Sequence, residues 1–110
     1  MRLVFIGTPE FSIPTLDLLI DEGHDVVGVL TKPDRPTGRG RKRTETPVKT
    51  HATHLGIPVM QPDSLEKDGI TSQGLISLRP QAGIVVAYGA LIPRNLLELF
   101  PLGCLNLHPS

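Results

Sequence analysis

A single cysteine, Cys104, stands among the 110 residues, so the chain holds no internal disulfide and fits a reducing compartment. No apolar run approaches the roughly 20 residues needed to span a bilayer. The amino end lacks the basic, apolar and cleavage regions of a secretory signal. Nor is there an excess of either charge, since 11 Lys and Arg balance 11 Asp and Glu. Together these absences exclude an integral membrane protein and point to the cytoplasm. At 39% apolar the chain can still build a core, and its length suits one domain or part of a larger one.

The zero total hides an asymmetry. Residues 32–49 hold Lys32, Arg35, Arg39, Arg41, Lys42, Arg43 and Lys49 against only Asp34 and Glu45. Seven basic and two acidic residues give this stretch a charge of +5 and leave −5 for the remainder. A cationic loop on an acidic body suits a polyanionic partner met by the loop alone. The alternative is a solvated loop kept soluble by its charge.

Short apolar runs recur between helical patterns. Leu3-Val4-Phe5-Ile6 reads as a strand buried on both faces. Gly7 lets the chain turn, Thr8 is placed to cap a helix, and Pro9 and Glu10 suit its first turn. Phe11, Thr15, Leu18 and Leu19 follow at helical spacing, and Gly23 ends that element. Val26–Leu30 is a second buried strand. Residues 32–45 read as a loop, with prolines, glycines, charges and no hydrophobic period. Thr46-Pro47 begins a helix that Gly56 stops, and Ile57–Met60 gives a strand that its proline places near a sheet edge. A weaker helix covers roughly 65–79, Ile84–Ala87 is a buried strand, Pro93 opens a further helix, and Leu105-Asn106-Leu107 starts a fifth strand.

This alternation predicts one α/β domain, a three-layer αβα arrangement with a doubly wound, mostly parallel sheet. In such sheets ligands sit beyond the carboxyl ends of the strands, where strand order reverses. With order 3-2-1-4-5 the crevice lies between Gly7-Thr8 and Tyr88-Gly89, with His108 nearby.

Nucleotide chemistry is disfavoured at that crevice. G-x-G-x-x-G is absent after the first strand, Gly38-Arg39-Gly40 falls in a loop, and no P-loop pattern occurs. His51 and His54 share a helix face without a third ligand, so they read as surface histidines and no metal site is expected. Cys104 reads as a small packing residue. Asn106 and His108 are different. Two apart along a strand, they point to one side at its carboxyl end. An amide donor and an imidazole there can bind a developing oxyanion and move a proton. In the alternative, Asn106 pairs with backbone and His108 only ends the strand.

Asn106-Leu107-His108-Pro109-Ser110 resembles the active-site motif of folate-dependent formyltransferases. Leu3–Phe11, the loop Lys32–Lys42 with its Pro-Asp-Arg-Pro, and Val85–Gly89 are similar to the methionyl-tRNA formyltransferases within that superfamily. The resemblance runs the length of the chain and implies a Rossmann-like formyltransferase fold. It implies transfer of a formyl group from 10-formyltetrahydrofolate, as co-substrate, to the amino group of methionine on initiator tRNA, in translation initiation. It makes Asn106 the oxyanion donor and His108 the stabiliser and proton acceptor. It places folate against Val86, Ala87, Tyr88, Gly89, Leu91 and Ser110, and tRNA against Arg35, Gly38, Arg39, Arg41, Lys42 and Arg43, with Arg39 at the position of the family's key arginine.

The resemblance also implies the amino-terminal part of a catalytic domain, cut after the fifth strand. The orienting aspartate, the remaining strands and the carboxy-terminal tRNA-binding barrel lie outside residues 1–110. The full enzyme is expected to be a monomer, and the 110 residues to be inactive alone. Two other readings compete: an RNA-binding module without chemistry, and a formyltransferase acting on a sugar nucleotide or purine precursor. The Lys32–Lys42 loop argues against the second.

Overall fold

Leu3 to Ile6 alternate between two cores, and that alternation organises the molecule. In β1 (Arg2–Gly7), Leu3 and Phe5 join one apolar cluster while Val4 and Ile6 join another. Successive strand side chains point to opposite faces, so a strand apolar at every position must be covered on both sides. The computed structural model describes residues 1–37, 40, 42–65 and 69–108. Along them follow α1 (Ile13–Asp21), β2 (Asp25–Leu30), β3 (Arg35–Thr37), β4 (Lys42–Thr44) and α2 (Pro47–His54). Then come β5 (Val59–Met60), α3 (Gly69–Leu78), β6 (Ala82–Val86), α4 (Arg94–Leu97) and β7 (Cys104–Asn106).

Five strands pair in parallel in the order β5-β2-β1-β6-β7, which is the expected 3-2-1-4-5 when the sheet's strands are counted along the chain. Leu16 of α1 and Val48 and Ala52 of α2 cover the Leu3–Phe5 face. Leu75 of α3, Leu96 of α4 and Phe100 cover the Val4–Ile6 face. The result is the expected three-layer α/β arrangement. Strand order reverses between β1 and β6, where Gly7 lies opposite Val86.

Local departures have physical causes. Thr8 caps nothing. The chain first makes a 3₁₀ turn over Glu10–Ser12, and α1 begins only at Ile13 with Pro14 in its first turn. Three residues of tighter winding shift the helical phase, so Leu16 is buried while Phe11 and Leu18 are 55% and 57% exposed. Gly7 is required for close approach: a Cβ there would lie 2.8 Å from the Val86 carbonyl oxygen and 3.1 Å from Ser12 Oγ. The loop expected over 32–45 contains an antiparallel ribbon in which Arg35 faces Thr44 and Pro36 faces Arg43. Arg35, Pro36 and all of β4 are exposed, so no alternation of apolar and polar residues marks the ribbon in sequence. Thr46 does cap α2, its hydroxyl accepting from the Lys49 N–H at 3.1 Å. Within the expected 65–79 helix, α3 occupies Gly69–Leu78, and Glu66, Lys67 and Asp68 lie outside the described residues.

Candidate active site and nucleic-acid interface

The site grows from the carboxyl end of β6. Just past that strand Ala87 takes φ +53° and Gly89 φ +99°. The left-handed region costs a residue with a Cβ roughly 1–2 kcal/mol, so the surrounding contacts must hold Ala87 there. One of them is the Thr8 hydroxyl, which donates to the Tyr88 carbonyl at 2.7 Å. The Lys32 backbone N–H donates to the same hydroxyl oxygen at 3.4 Å. One threonine past β1 thus ties together the chain segments leaving β2 and β6. The Tyr88 side chain is 3% exposed. Burial pushes its phenol pKa up, and the Lys32 ammonium lies 5.8 Å from its ring centroid, within cation–π range.

Ala87 and Tyr88 form a wall between two cavities. The first, about 560 Å³, lies on the β1 side, between Thr8, Pro9, Phe11, Gly89 and the root of the ribbon at Lys32, Arg35 and Thr44–Thr46. It occupies the crevice expected between Gly7-Thr8 and Tyr88-Gly89. The second, about 450 Å³, lies over β6 and β7 and is lined by Ala90, Leu91, Ile92, Leu97, Cys104, Asn106 and His108 among others. Asn106 and His108 therefore meet at one cavity. The β7 ladder holds them in register: Asn106 lies opposite Val85, and the Leu107 N–H donates to the Val85 carbonyl at 2.8 Å. Both side chains are exposed, and among the described residues neither has a hydrogen-bond partner. An amide N–H and an imidazole thus face the cavity with their hydrogen-bonding capacity uncommitted.

The sequence-predicted folate residues divide. Ala87, Tyr88 and Leu91 line the Asn106–His108 cavity, with Leu91 95% exposed at its rim. Gly89 lines the neighbouring cavity, and the Val86 side chain packs in the core beneath α1 and α2. Leu97 and Ile92 line the second cavity without having been singled out in the sequence, because an apolar pocket wall has the composition of a core. Cys104 lines it too while packing beside Phe100, and burial pushes its thiol pKa up. Phe11 at the first cavity did carry a signal: a large apolar residue ahead of the true helical phase.

Of the sequence-predicted tRNA residues, Arg35, Lys42 and Arg43 are exposed on the ribbon, and Arg35 reaches the first cavity. Gly38, Arg39, Arg41 and Ser110 lie outside the described residues. Hydrogen bonds from Gln61 and then Lys49 hold the Asp34 carboxyl below the usual carboxylate range. His51 pairs with Asp17 across α2 and α1 at 2.6 Å. Among the described residues no three His, Cys, Asp or Glu side chains gather as a metal site, and no helix is long and apolar enough to cross a membrane.

The formyl transferase family matches residues 1–110. Methionyl-tRNA formyltransferases of Alkaliphilus oremlandii, Pelotomaculum thermopropionicum and Coxiella burnetii are 46%, 51% and 47% identical over 110 residues. These alignments cover 100% of this chain and 35% of each relative, so the chain spans about a third of the curated relatives it matches. Among solved structures, glycinamide ribonucleotide transformylase 1 of Symbiobacterium toebii aligns with a TM-score of 0.71 at 18% identity, over 100% of this chain and 52% of its own. That likeness speaks for the fold.

Proposed function

The chain belongs to the formyl transferase family, and from that premise we propose that it carries the donor site and part of the acceptor site of a methionyl-tRNA formyltransferase. The observation that bears most weight is the shared wall. Ala87 and Tyr88 border both the cavity edged by Asn106 and His108 and the cavity edged by the cationic ribbon. In this reading 10-formyltetrahydrofolate occupies the Asn106–His108 cavity and the aminoacylated end of initiator tRNA enters the β1-side cavity. The residues fit the donor: an apolar lining of Leu91, Ile92 and Leu97 suits a flat heteroaromatic ring, with two polar groups at one end.

The methionine amine attacks the formyl carbon, the bond from that carbon to folate nitrogen breaks, and the amine's lost proton is balanced by one gained on the folate nitrogen. Asn106 donates to the formyl oxygen as negative charge develops on it. His108 stabilises the same charge and accepts the amine proton. The partner's phosphates meet Arg35, Lys42 and Arg43, a contact of charge with no base reading in it.

The test replaces the matching segment of the Alkaliphilus oremlandii enzyme with residues 1–110 and measures formylation of methionyl-tRNA. The chimera is expected to be active, and Asn106→Ala or His108→Ala to lower the rate by about 10²–10³ each. Chain 1–110 alone is expected to show no turnover above background. A folded chimera that formylates a sugar-nucleotide or purine-precursor amine but not methionyl-tRNA would overturn the acceptor. Full activity in the His108 variant would overturn the mechanism.

A further inference from the structure

The cationic ribbon contains a residue that works against its charge. Asp34 stands at the ribbon's root and removes one unit of attraction for any polyanion. Its surroundings show a different use. Its Oδ1 accepts from Gln61 Nε2 at 2.7 Å, and its Oδ2 accepts from Lys49 Nζ at 3.1 Å. Its backbone carbonyl accepts from Arg43 Nη1 at 3.0 Å. Gln61 also donates to the Lys32 carbonyl at 3.1 Å, and Lys49 lies 3.7 Å from Glu45. Asp34 thereby joins the segment after β5, helix α2 and strand β4. Its pair with Lys49 is sheltered, with side chains 22% and 24% exposed, whereas the Arg94–Glu98 pair is 69% or more exposed on both sides.

We propose that Asp34 is a positioning residue for the RNA acceptor, an anchor that fixes the tilt of the ribbon carrying Arg35, Lys42 and Arg43, of which Arg35 lines the β1-side cavity. The inference rests on the acceptor reading given above. Its physical basis is that two three-residue strands, with Arg35, Pro36 and all of β4 exposed, have little apolar burial to fix their tilt against the sheet. The orientation must come from polar contacts at the root. Asp34 supplies three of them, each with a donor on a different element.

Charge alone and positioning predict opposite signs, which makes the proposal testable. If Asp34 acted only as charge, Asp34→Asn would tighten binding of a polyanion and Lys49→Gln would weaken it, the two cancelling in the double variant. If Asp34 positions the ribbon, Asp34→Asn weakens binding despite the added positive charge. Its Nδ2 would face the Lys49 ammonium, donor against donor. Lys49→Gln also weakens binding, and the double variant is no weaker than the worse single one, because both act through one contact.

The experiment titrates the Alkaliphilus oremlandii chimera that carries residues 1–110, and its three variants, with initiator methionyl-tRNA at several salt concentrations. Amide hydrogen exchange is followed in the same proteins without RNA. We expect Asp34→Asn to bind about five- to tenfold more weakly, with faster exchange in β3 and β4 and unchanged exchange in β1 and β6. Tighter binding by Asp34→Asn, or ribbon exchange equal to wild type, overturns the proposal. Absence of wild-type binding at low salt overturns the acceptor reading itself, and the exchange comparison then still reports whether Asp34 holds the ribbon. Loss of protection in β1 and β6 would mark Asp34 as a residue of global stability and also overturns its positioning role.

Discussion

Thr8 shows how one side chain can be read correctly as polar and placed wrongly in role. Its position before Pro9 suggests a helix cap, but the hydroxyl serves the Tyr88 carbonyl and the Lys32 N–H instead. Propensity sees only neighbours in sequence, and Tyr88 is 80 residues away. The same limit applies to Gly7, whose requirement comes from the facing Val86 carbonyl. Asn106 and His108 were legible because period-2 geometry is local, and the structure does bring them to one cavity. Thr8→Val keeps the shape and strands a partly buried carbonyl. It should lower stability by about 1–2 kcal/mol, read from the urea midpoint, whereas Thr8→Ser should stay near wild type. Unchanged stability in Thr8→Val would mean that the hydrogen bond contributes nothing, and a loss in Thr8→Ser would report the missing methyl group.

Among the elements, the sheet was legible and the ribbon was not. Val26–Leu30 and Ile84–Val86 announce themselves as unbroken apolar runs, since strands covered on both faces contain little else. The described side chains of the β3–β4 ribbon are exposed and leave no pattern to read; its charge suggested a use without revealing a shape. Its root gives a prediction in pH. The Asp34 carboxyl sits below its ordinary value of 3.8, first through the Gln61 hydrogen bond and then through Lys49. A carboxyl with a lowered folded-state pKa stabilises above its unfolded value and loses that contribution as pH falls through the folded one. Protection of the β3 and β4 amides, taken relative to the intrinsic exchange rate at each pH, should therefore be level above about pH 4 and fall below it while β1 and β6 stay protected. Lys49 and Arg43 act on this carboxyl by charge, and Glu45 lies 3.7 Å from the same lysine. A Glu45→Gln control separates the two carboxyls.

For the whole molecule, the balance of charges conceals a division of labour. The neutral total would suggest indifference to nucleic acid, yet seven of the eleven Lys and Arg residues fall within residues 32–49. The salt dependence of binding initiator tRNA should therefore come chiefly from that stretch. With Arg35, Lys42 and Arg43 each neutralising a phosphate, log K should fall against log salt with a slope of about −2 to −3. An Arg35/Lys42/Arg43 alanine variant should flatten it. A slope unchanged by that variant would move the interface elsewhere.

The wall between the cavities has one more consequence. Tyr88 is the sole tyrosine in a chain that has no tryptophan. All intrinsic near-ultraviolet emission above the phenylalanine background thus arises from one buried phenol, set between two cavities with an ammonium over its face. The protein comes with a single chromophore already at the boundary where donor and acceptor would meet. Quenching, polarisation and lifetime of that one emitter would register an occupant on either side, without a label and without turnover.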